Sequence, residues 1–440
     1  MIRDAGAPAL SSAKARLARG ASSAFIVNTL ATGLAFLSQI VLARALGADG
    51  YGIYAYVMAW ITILALLATL GFQTGMLRFA SAYRAREEWP LLRGILRYAM
   101  RRVGLAGLVI GIATACVVVA LGDRLAPELS RTFLVGCAMV PVLAFLQVGG
   151  SVARAFGGVV SALAPQNLLR QAVVLAVVGT WALLLSLAIE PHGAMIVMLV
   201  ATAIALGTVG WSISRLQPAG LPTASIAYHA QEWRRAALAF LFMAAVRALL
   251  SRSDLLLLGM LADTTSVGIY AVASRVTDLV AFALTAINVM FAPNIAALHA
   301  RGDRTALQAM VTTTAWWATL SALLIGLPLF VLAGTVLSLF GDAFVSGTVV
   351  LRILLVGQIV NVAAGSVGPM LTMTGHERQA AIVLGVAAAA QIGMNTAMIP
   401  LFGMEGAAVT TALTVIGWNL AMGILVWRNL KIVPSVLARR

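Results

Sequence analysis

The chain has 440 residues, of which 61% are hydrophobic and 10% charged, and a formal net charge of +15. That composition excludes a soluble globular protein, because burying so much apolar surface would leave almost no polar skin. Nor does the positive balance point to nucleic acid, since the basic residues sit at the ends of apolar runs instead of on one folded surface.

The basic N-terminal stretch with Arg3, Lys14, Arg16 and Arg19 resembles a secretory signal, but the apolar run behind it is too long and lacks a cleavage site. It is read as the first retained helix. Twelve spans are predicted, at 22 to 46, 52 to 77, 100 to 122, 132 to 154, 165 to 189, 192 to 214, 236 to 262, 266 to 294, 308 to 334, 345 to 372, 377 to 400 and 404 to 428. Each suffices to cross a hydrocarbon core of ~30 Å at ~1.5 Å per residue. The runs are continuous and rich in Ala, Leu and Gly, without the alternation of a lipid-facing barrel. Prolines within spans, Pro141, Pro293, Pro328 and Pro369, are expected to kink or interrupt their helices. The stretch from Arg78 to Arg102, with Trp89 among seven arginines, reads either as an amphipathic segment on the membrane surface or as a solvated basic loop.

The turn after the first span returns later in altered form. Tyr51-Gly52-Ile53-Tyr54-Ala55 recurs as Val267-Gly268-Ile269-Tyr270-Ala271, 216 positions on, and Gly150-Ser151-Val152 recurs as Gly365-Ser366-Val367. An offset near half the chain marks an internal duplication. The fold class is therefore an all-α polytopic membrane protein, with twelve transmembrane helices in two pseudo-symmetric six-helix bundles. Residues 1–216 form the N-terminal bundle, 217–235 a polar cytoplasmic linker, and 236–440 the C-terminal bundle.

Orientation follows from the cations. Twenty-three of thirty lie on one side, from the N-terminal tail through Arg78 to Arg102, Arg154, Arg170, Arg215, Arg234, Arg235, Arg301, Arg304 and Arg378 to the C-terminal tail. Arg44, Arg124 and Arg131 lie on the other, so both termini are expected to be cytoplasmic. No loop offers room for a soluble catalytic domain.

Ionisable groups inside a bilayer cost ~3 kcal/mol or more each and are functional suspects. The N-terminal half has none deep in a span, whereas span 7 carries Arg247, Arg252 and Asp254, and span 8 carries Arg275 and Asp278. Counting from the turn near Asp263, Asp254 and Arg275 lie at similar depth, roughly 12 to 15 Å in, and are expected to pair across the hairpin. Arg275 and Asp278 also share a helical face. With Arg352 in span 10, four arginines face two aspartates. The bland reading is a set of buried pairs that fixes packing. The sharper one is an anion site, since a guanidinium fork suits phosphate. Asn28, Thr29, Ser38 and Gln39 in span 1, with Gln73 and Arg78 in span 2, are candidates for a facing wall. The histidines have no metal-ligand spacing, Cys116 and Cys137 imply no disulfide framework, and no P-loop, nucleophile elbow or HExxH is present. No cofactor, metal or catalytic residue is expected.

The run Leu42-Ala43-Arg44-Ala45-Leu46-Gly47 followed by Tyr51-Gly52-Ile53-Tyr54 resembles the first hairpin of the polysaccharide flippases, the lipid-linked oligosaccharide branch of an exporter superfamily that also holds lipid II flippases and multidrug exporters. Asp254-Leu255-Leu256-Leu257-Leu258-Gly259, Val267-Gly268-Ile269-Tyr270, Ala292-Pro293-Asn294-Ile295 and Gly403-Met404-Glu405-Gly406-Ala407-Ala408 extend the resemblance over essentially the whole chain. It implies two bundles forming a V around a central cationic cavity that opens alternately to each face. It implies transfer of an undecaprenyl-pyrophosphate-linked oligosaccharide between leaflets of the bacterial inner membrane. Under it, Arg44, Arg78, Arg247, Arg252, Arg275, Asn28 and Gln39 are the substrate-binding candidates, and Asp254 and Asp278 the ion-coupling or charge-pairing ones. Motif match alone carries over only Arg44 and Asp254. The implied partners are the lipid-linked substrate, membrane lipid, and a polysaccharide polymerase with its chain-length regulator, for a monomeric protein.

Three alternatives stand beside this reading. A multidrug exporter driven by cation antiport should place acids in its cavity, and spans 1 to 6 offer none. A polymerase or ligase acting on the same lipid needs a sizeable outer loop with a catalytic cluster, which is missing here. A passive scaffold leaves the excess arginines unexplained.

Overall fold

The structure, a computed structural model, describes the backbone over residues 7–184 and 189–434, and side chains from residue 26 except at 182–184 and several positions between 283 and 293. All regular structure among the described residues is helical. The elements are α1 (Ala7–Ala68), α2 (Phe72–Ala85), α3 (Trp89–Leu121), α4 (Pro127–Ala155), α5 (Val159–Leu163), α6 (Arg170–Leu184), α7 (Pro191–Leu216), α8 (Ala230–Leu261), α9 (Thr264–Ala300), α10 (Arg304–Val331), α11 (Ala333–Ser338), α12 (Thr348–Ala363), α13 (Val367–Met373) and α14 (Glu377–Leu430). A π-helical stretch, Ala164–Leu169, joins α5 to α6.

Among the described residues nine helices are long and apolar enough to cross a membrane. Two of these are double. α1 is broken at Gly47 (φ 67°) and α14 at Gly403 (φ 56°), left-handed backbone that a Cβ would strain. With those breaks, and with α9 carrying the eighth span, the predicted twelve all fall on helices; residues 185–188, at the end of the fifth, lie outside the described residues. The second span breaks at Thr69–Gly71 before α2, and the tenth breaks between α12 and α13. α4 stays helical through Pro141 and α10 through Pro328 to its end at Val331, while the span that holds Pro369 is interrupted just before it, at the positive-φ Gly365. The aspartates before α9 and α10 set their starts: Asp263 accepts from Ser266 N and Asp303 from Ala306 N.

Contacts divide the chain into two compact units, one of Met1–Ala45 and Trp60–Ala244, the other of Leu46–Ala59 and Ala245–Arg440. In the first, α4 packs on α7, α3 and α2. The basic stretch from Arg78 to Arg102 forms the end of α2, a tight turn through Glu87 and Glu88, and the first turns of α3. The polar stretch after α7 is held against it. Ala227 N donates to Pro90 O at 3.1 Å, Arg93 donates to Ala224 O, and Trp233 Nε1 donates to Tyr83 Oη at 2.9 Å. Trp233 is fully buried among Tyr83, Tyr98 and Tyr228.

In the second unit α12 packs on α14 and α9, and α10 on α9. The segment Leu46–Ala59 joins this unit through the repeated motif itself. A Cβ on Gly52 would lie 1.7 Å from the carbonyl oxygen of Thr264, and one on Gly268 2.1 Å from that of Ala48. Each would also lie 3.0 Å from the other glycine's nitrogen. The two copies thus cross backbone to backbone, an approach that only glycine permits. The Thr264 hydroxyl donates to Asp49 beside this crossing.

Candidate functional site

The crossing positions α9 so that its next turn meets α8 and α14. Tyr270, two residues after Gly268, donates from its hydroxyl to Asp254 Oδ2 at 2.6 Å. Thr411 Oγ1 of α14 lies 3.1 Å from Tyr270 Oη and 3.5 Å from the same carboxylate oxygen. Leu255 N donates to Asp254 Oδ1 at 2.8 Å. Both oxygens of this carboxylate, which is only 7% exposed, are therefore satisfied by neutral donors.

The expected pairing of Asp254 with Arg275 is not formed. Arg275 Nη1 instead faces Asp278 Oδ2 at 3.4 Å, one turn along its own helix. An i,i+3 partner is supplied by helix geometry without further ordering, whereas Asp254 is already occupied by Tyr270. That leaves Arg252. It is half-buried, makes no hydrogen bond or ion pair among the described residues, and lies in electrostatic range of Arg275, Asp254, Asp278 and Tyr51. Arg352 is no part of this cluster: its Nε donates to Phe330 O at 3.2 Å and its guanidinium lies 5.5 Å from the Phe330 ring.

Arg247, on α8, lines a separate cavity of ≈ 340 Å³ with Ser251, Asn288, Asn361, Trp418 and Asn419. Asn419 Nδ2 donates to Asn361 Oδ1 at 2.7 Å, and Ser366 donates to Asn288. These three asparagines were not singled out from the sequence, although amides inside apolar spans are a legible signal. Near Asp254, Ser253 Oγ and Thr410 Oγ1 are buried without a hydrogen-bond partner among the described residues, as are Gln391 Nε2 and both amide atoms of Asn395 on α14. Among the described residues no cluster of His, Cys, Asp and Glu has metal-binding geometry.

The remaining sequence candidates belong to the first unit. Asn28 and Arg44 are exposed on α1, Gln39 is half-buried, and Ser38 is buried with its hydroxyl 2.9 Å from Gln171 Oε1. Arg78 is exposed over the Phe79 ring at 5.3 Å, and lines a cavity of ≈ 860 Å³ with Tyr228, His229, Glu232 and Arg235. Of the nine candidates, the second unit gathers Arg252, Asp254, Arg275 and Asp278, with Arg247 on the same helix as the first two.

Solved structures share this fold. A multidrug resistance MATE family transporter of the MOP superfamily, in an inward-facing conformation, superposes with a TM-score of 0.71 at 14% identity, covering 93% of this chain and 98% of its own. The lipid II flippase MurJ, in an inward closed conformation, gives 0.70 at 12% identity, covering 92% and 87%. A MOP superfamily transporter from Pyrococcus furiosus, described by the reverse polarity of its binding pocket, gives 0.58 at 15% identity, covering 95% of both chains. Identities this low show the fold alone. No curated protein matches the chain in sequence. The profile of the polysaccharide biosynthesis proteins matches residues 17–299, well over half the length, and the chain, a multi-pass membrane protein, belongs to that family.

Proposed function

We propose that the chain is a flippase that moves an undecaprenyl-pyrophosphate-linked oligosaccharide, an O-antigen or exopolysaccharide repeat unit, from the cytoplasmic to the outer leaflet of the bacterial inner membrane. Its termini are cytoplasmic, and it catalyses no covalent step. The observation that carries the reading is Arg252, a half-buried arginine in a membrane span, beside a second arginine and without an ion pair among the described residues. A cation held in a bilayer without a direct ion-pair partner is costly unless water or an anion meets it. A pyrophosphate offers the bidentate geometry that a guanidinium prefers. Membership of a polysaccharide biosynthesis family supports a glycan cargo. In this reading Arg252 and Arg275 receive the pyrophosphate, and Arg247 with its ring of amides meets sugar hydroxyls. Asp254, with Tyr270 and Thr411, exchanges a proton or alkali cation that drives the cycle, and Asp278 serves to hold Arg275.

The test is transfer of a fluorescent undecaprenyl-pyrophosphate oligosaccharide in proteoliposomes, comparing wild type with Arg252→Ala and Arg275→Ala at equal protein level. Wild type should flip the lipid, and Arg252→Ala should flip it at least about tenfold more slowly while unfolding at the wild-type temperature. Normal flipping by both variants moves the anion site elsewhere. Export of cationic dyes with no movement of the lipid replaces the flippase by a cation-antiport drug exporter.

A further inference from the structure

A groove on the flank of the second unit has no part in that site. It has a volume of ≈ 860 Å³ and runs along one face of α10, from Arg304 through Gln308 and Thr312 to Trp316 and Leu320. Steps of four residues keep these side chains in one stripe, and sixteen residues at ~1.5 Å make it roughly 24 Å long. Its character changes along that length. One end holds two cations, Arg304 and Lys431, and neither makes an ion pair among the described residues. Next come the amide and hydroxyls of Gln308, Thr312 and Thr313. The far end is apolar, with Trp316 and Trp317 exposed by 57% and 63%, and the exposed surface continues past Leu320 to Leu324, Leu327 and Val331.

The cationic end is built, since Lys431 does not hang from a loose tail. It closes α14 in a left-handed conformation, its ammonium lies 5.2 Å from the Trp427 ring, and the chain beyond it is strapped to α10. Gln308 makes the strap with both ends of its amide: Nε2 donates to Val433 O and Oε1 accepts from Val433 N, each at 2.9 Å. Ile432 is buried beneath.

We propose that this groove holds one anionic phospholipid of the surrounding bilayer, its phosphate between Arg304 and Lys431 and one acyl chain along Trp316, Trp317 and Leu320. Charge complementarity selects the anionic headgroup. The polar-to-apolar gradient over about the depth of one leaflet selects a lipid over a soluble phosphate. Bulk phospholipid far exceeds any lipid-linked intermediate, so mass action fills a lipid-exposed flank with it.

The test is native mass spectrometry of the full chain titrated with phosphatidylglycerol or phosphatidylcholine. Wild type should retain phosphatidylglycerol about tenfold better than phosphatidylcholine. The double variant Arg304→Gln, Lys431→Gln should bring the ratio to within about twofold, and Trp316→Ala with Trp317→Ala should weaken both lipids while leaving the ratio unchanged. A control, Arg124→Gln with Arg131→Gln, removes the same charge at the α3–α4 turn and should keep the wild-type ratio. Equal retention of the two lipids by wild type overturns the proposal. So does a preference that survives the Arg304 and Lys431 changes, or one lost equally in the control. If the double variant does not fold, quenching of wild-type tryptophan fluorescence by brominated phosphatidylglycerol decides instead, and quenching that Trp316→Ala with Trp317→Ala leaves undiminished also overturns it.

Discussion

The two copies of the repeated hairpin share a frame and differ in chemistry. At an offset of 216, Gly52 matches Gly268, Tyr54 matches Tyr270, Gly47 matches Asp263 and Ser38 matches Asp254. The glycines are equivalent in structure as well, each pressed on the backbone of the other copy. The turns are not. The first copy breaks its helix with the left-handed backbone of Gly47, whereas the second starts a new helix with the carboxylate cap of Asp263. Deeper in the span the first copy places a serine that turns to Gln171, and the second an aspartate that takes the Tyr270 hydroxyl. The two copies agree where sterics bind at the crossing and differ at the buried polar positions.

The sharpest way to break this comparison is at the crossing. Gly52→Ala and Gly268→Ala each drive a Cβ into a backbone carbonyl, which cannot swing away, and each should cost about 2–3 kcal/mol by thermal unfolding in detergent. Equal losses are expected, and a large loss at one position alone would contradict the mutual packing. Tyr270→Phe should follow at about 2 kcal/mol, because it removes a hydroxyl donor from a buried carboxylate, while Ser38→Ala, which removes a neutral hydroxyl shared between Gln171 Oε1 and Ala35 O, should cost about 1 kcal/mol. Flipping assays on the same pair should show loss only for Tyr270→Phe. Gly47→Ala meets no neighbouring atom and strains the backbone alone, for about 1–2 kcal/mol. Asp263→Gly at the matching position should cost only a few tenths.

The smallest effect is a pH dependence. The Ser266 N–H holds the Asp263 carboxyl below the usual carboxylate range, with the Ser266 hydroxyl adding to it. A lowered folded value means that the cap stabilises fully above the unfolded pKa near ~3.9 and fades as pH falls through the folded value. Asp263 is exposed, so solvent screens the effect. Asp263→Asn keeps an acceptor at the cap and should change neutral-pH stability by less than about 0.5 kcal/mol while flattening the acid limb below pH 4. Unfolding midpoints measured between pH 3 and pH 7 decide it.

The spans were legible because a bilayer imposes one rule on every helix, and twenty apolar residues satisfy it whatever they pack against. Gly52 and Gly268 were legible as a repeat, yet nothing in the sequence says that they touch, since contact between positions so far apart is a property of the fold. The partner of Asp254 was misread for a related reason. Depth along a hairpin brings Arg275 level with it, but a tyrosine hydroxyl reaching from the same helix competes, and depth alone carries no bearing around the helix axis. The stretch from 217 to 235 was legible as a polar linker from its prolines, glycine and charges, but its packing was not. Trp233, near its end, anchors it to α2 and α3.

The membership of Leu46–Ala59 in the second unit has a consequence for synthesis. This segment leaves the ribosome early, but the carbonyl of Thr264 and the backbone of Gly268, against which it closes, are translated about 205 residues later. At typical elongation rates of ~5–20 residues per second the hairpin tip waits roughly 10 to 40 s for its counterpart. During that interval its glycine face has no mate from its own chain. A nascent chain at any point between α2 and α8 therefore carries its repeat half-assembled, with the backbone at Gly52 bare of the contact that closes it.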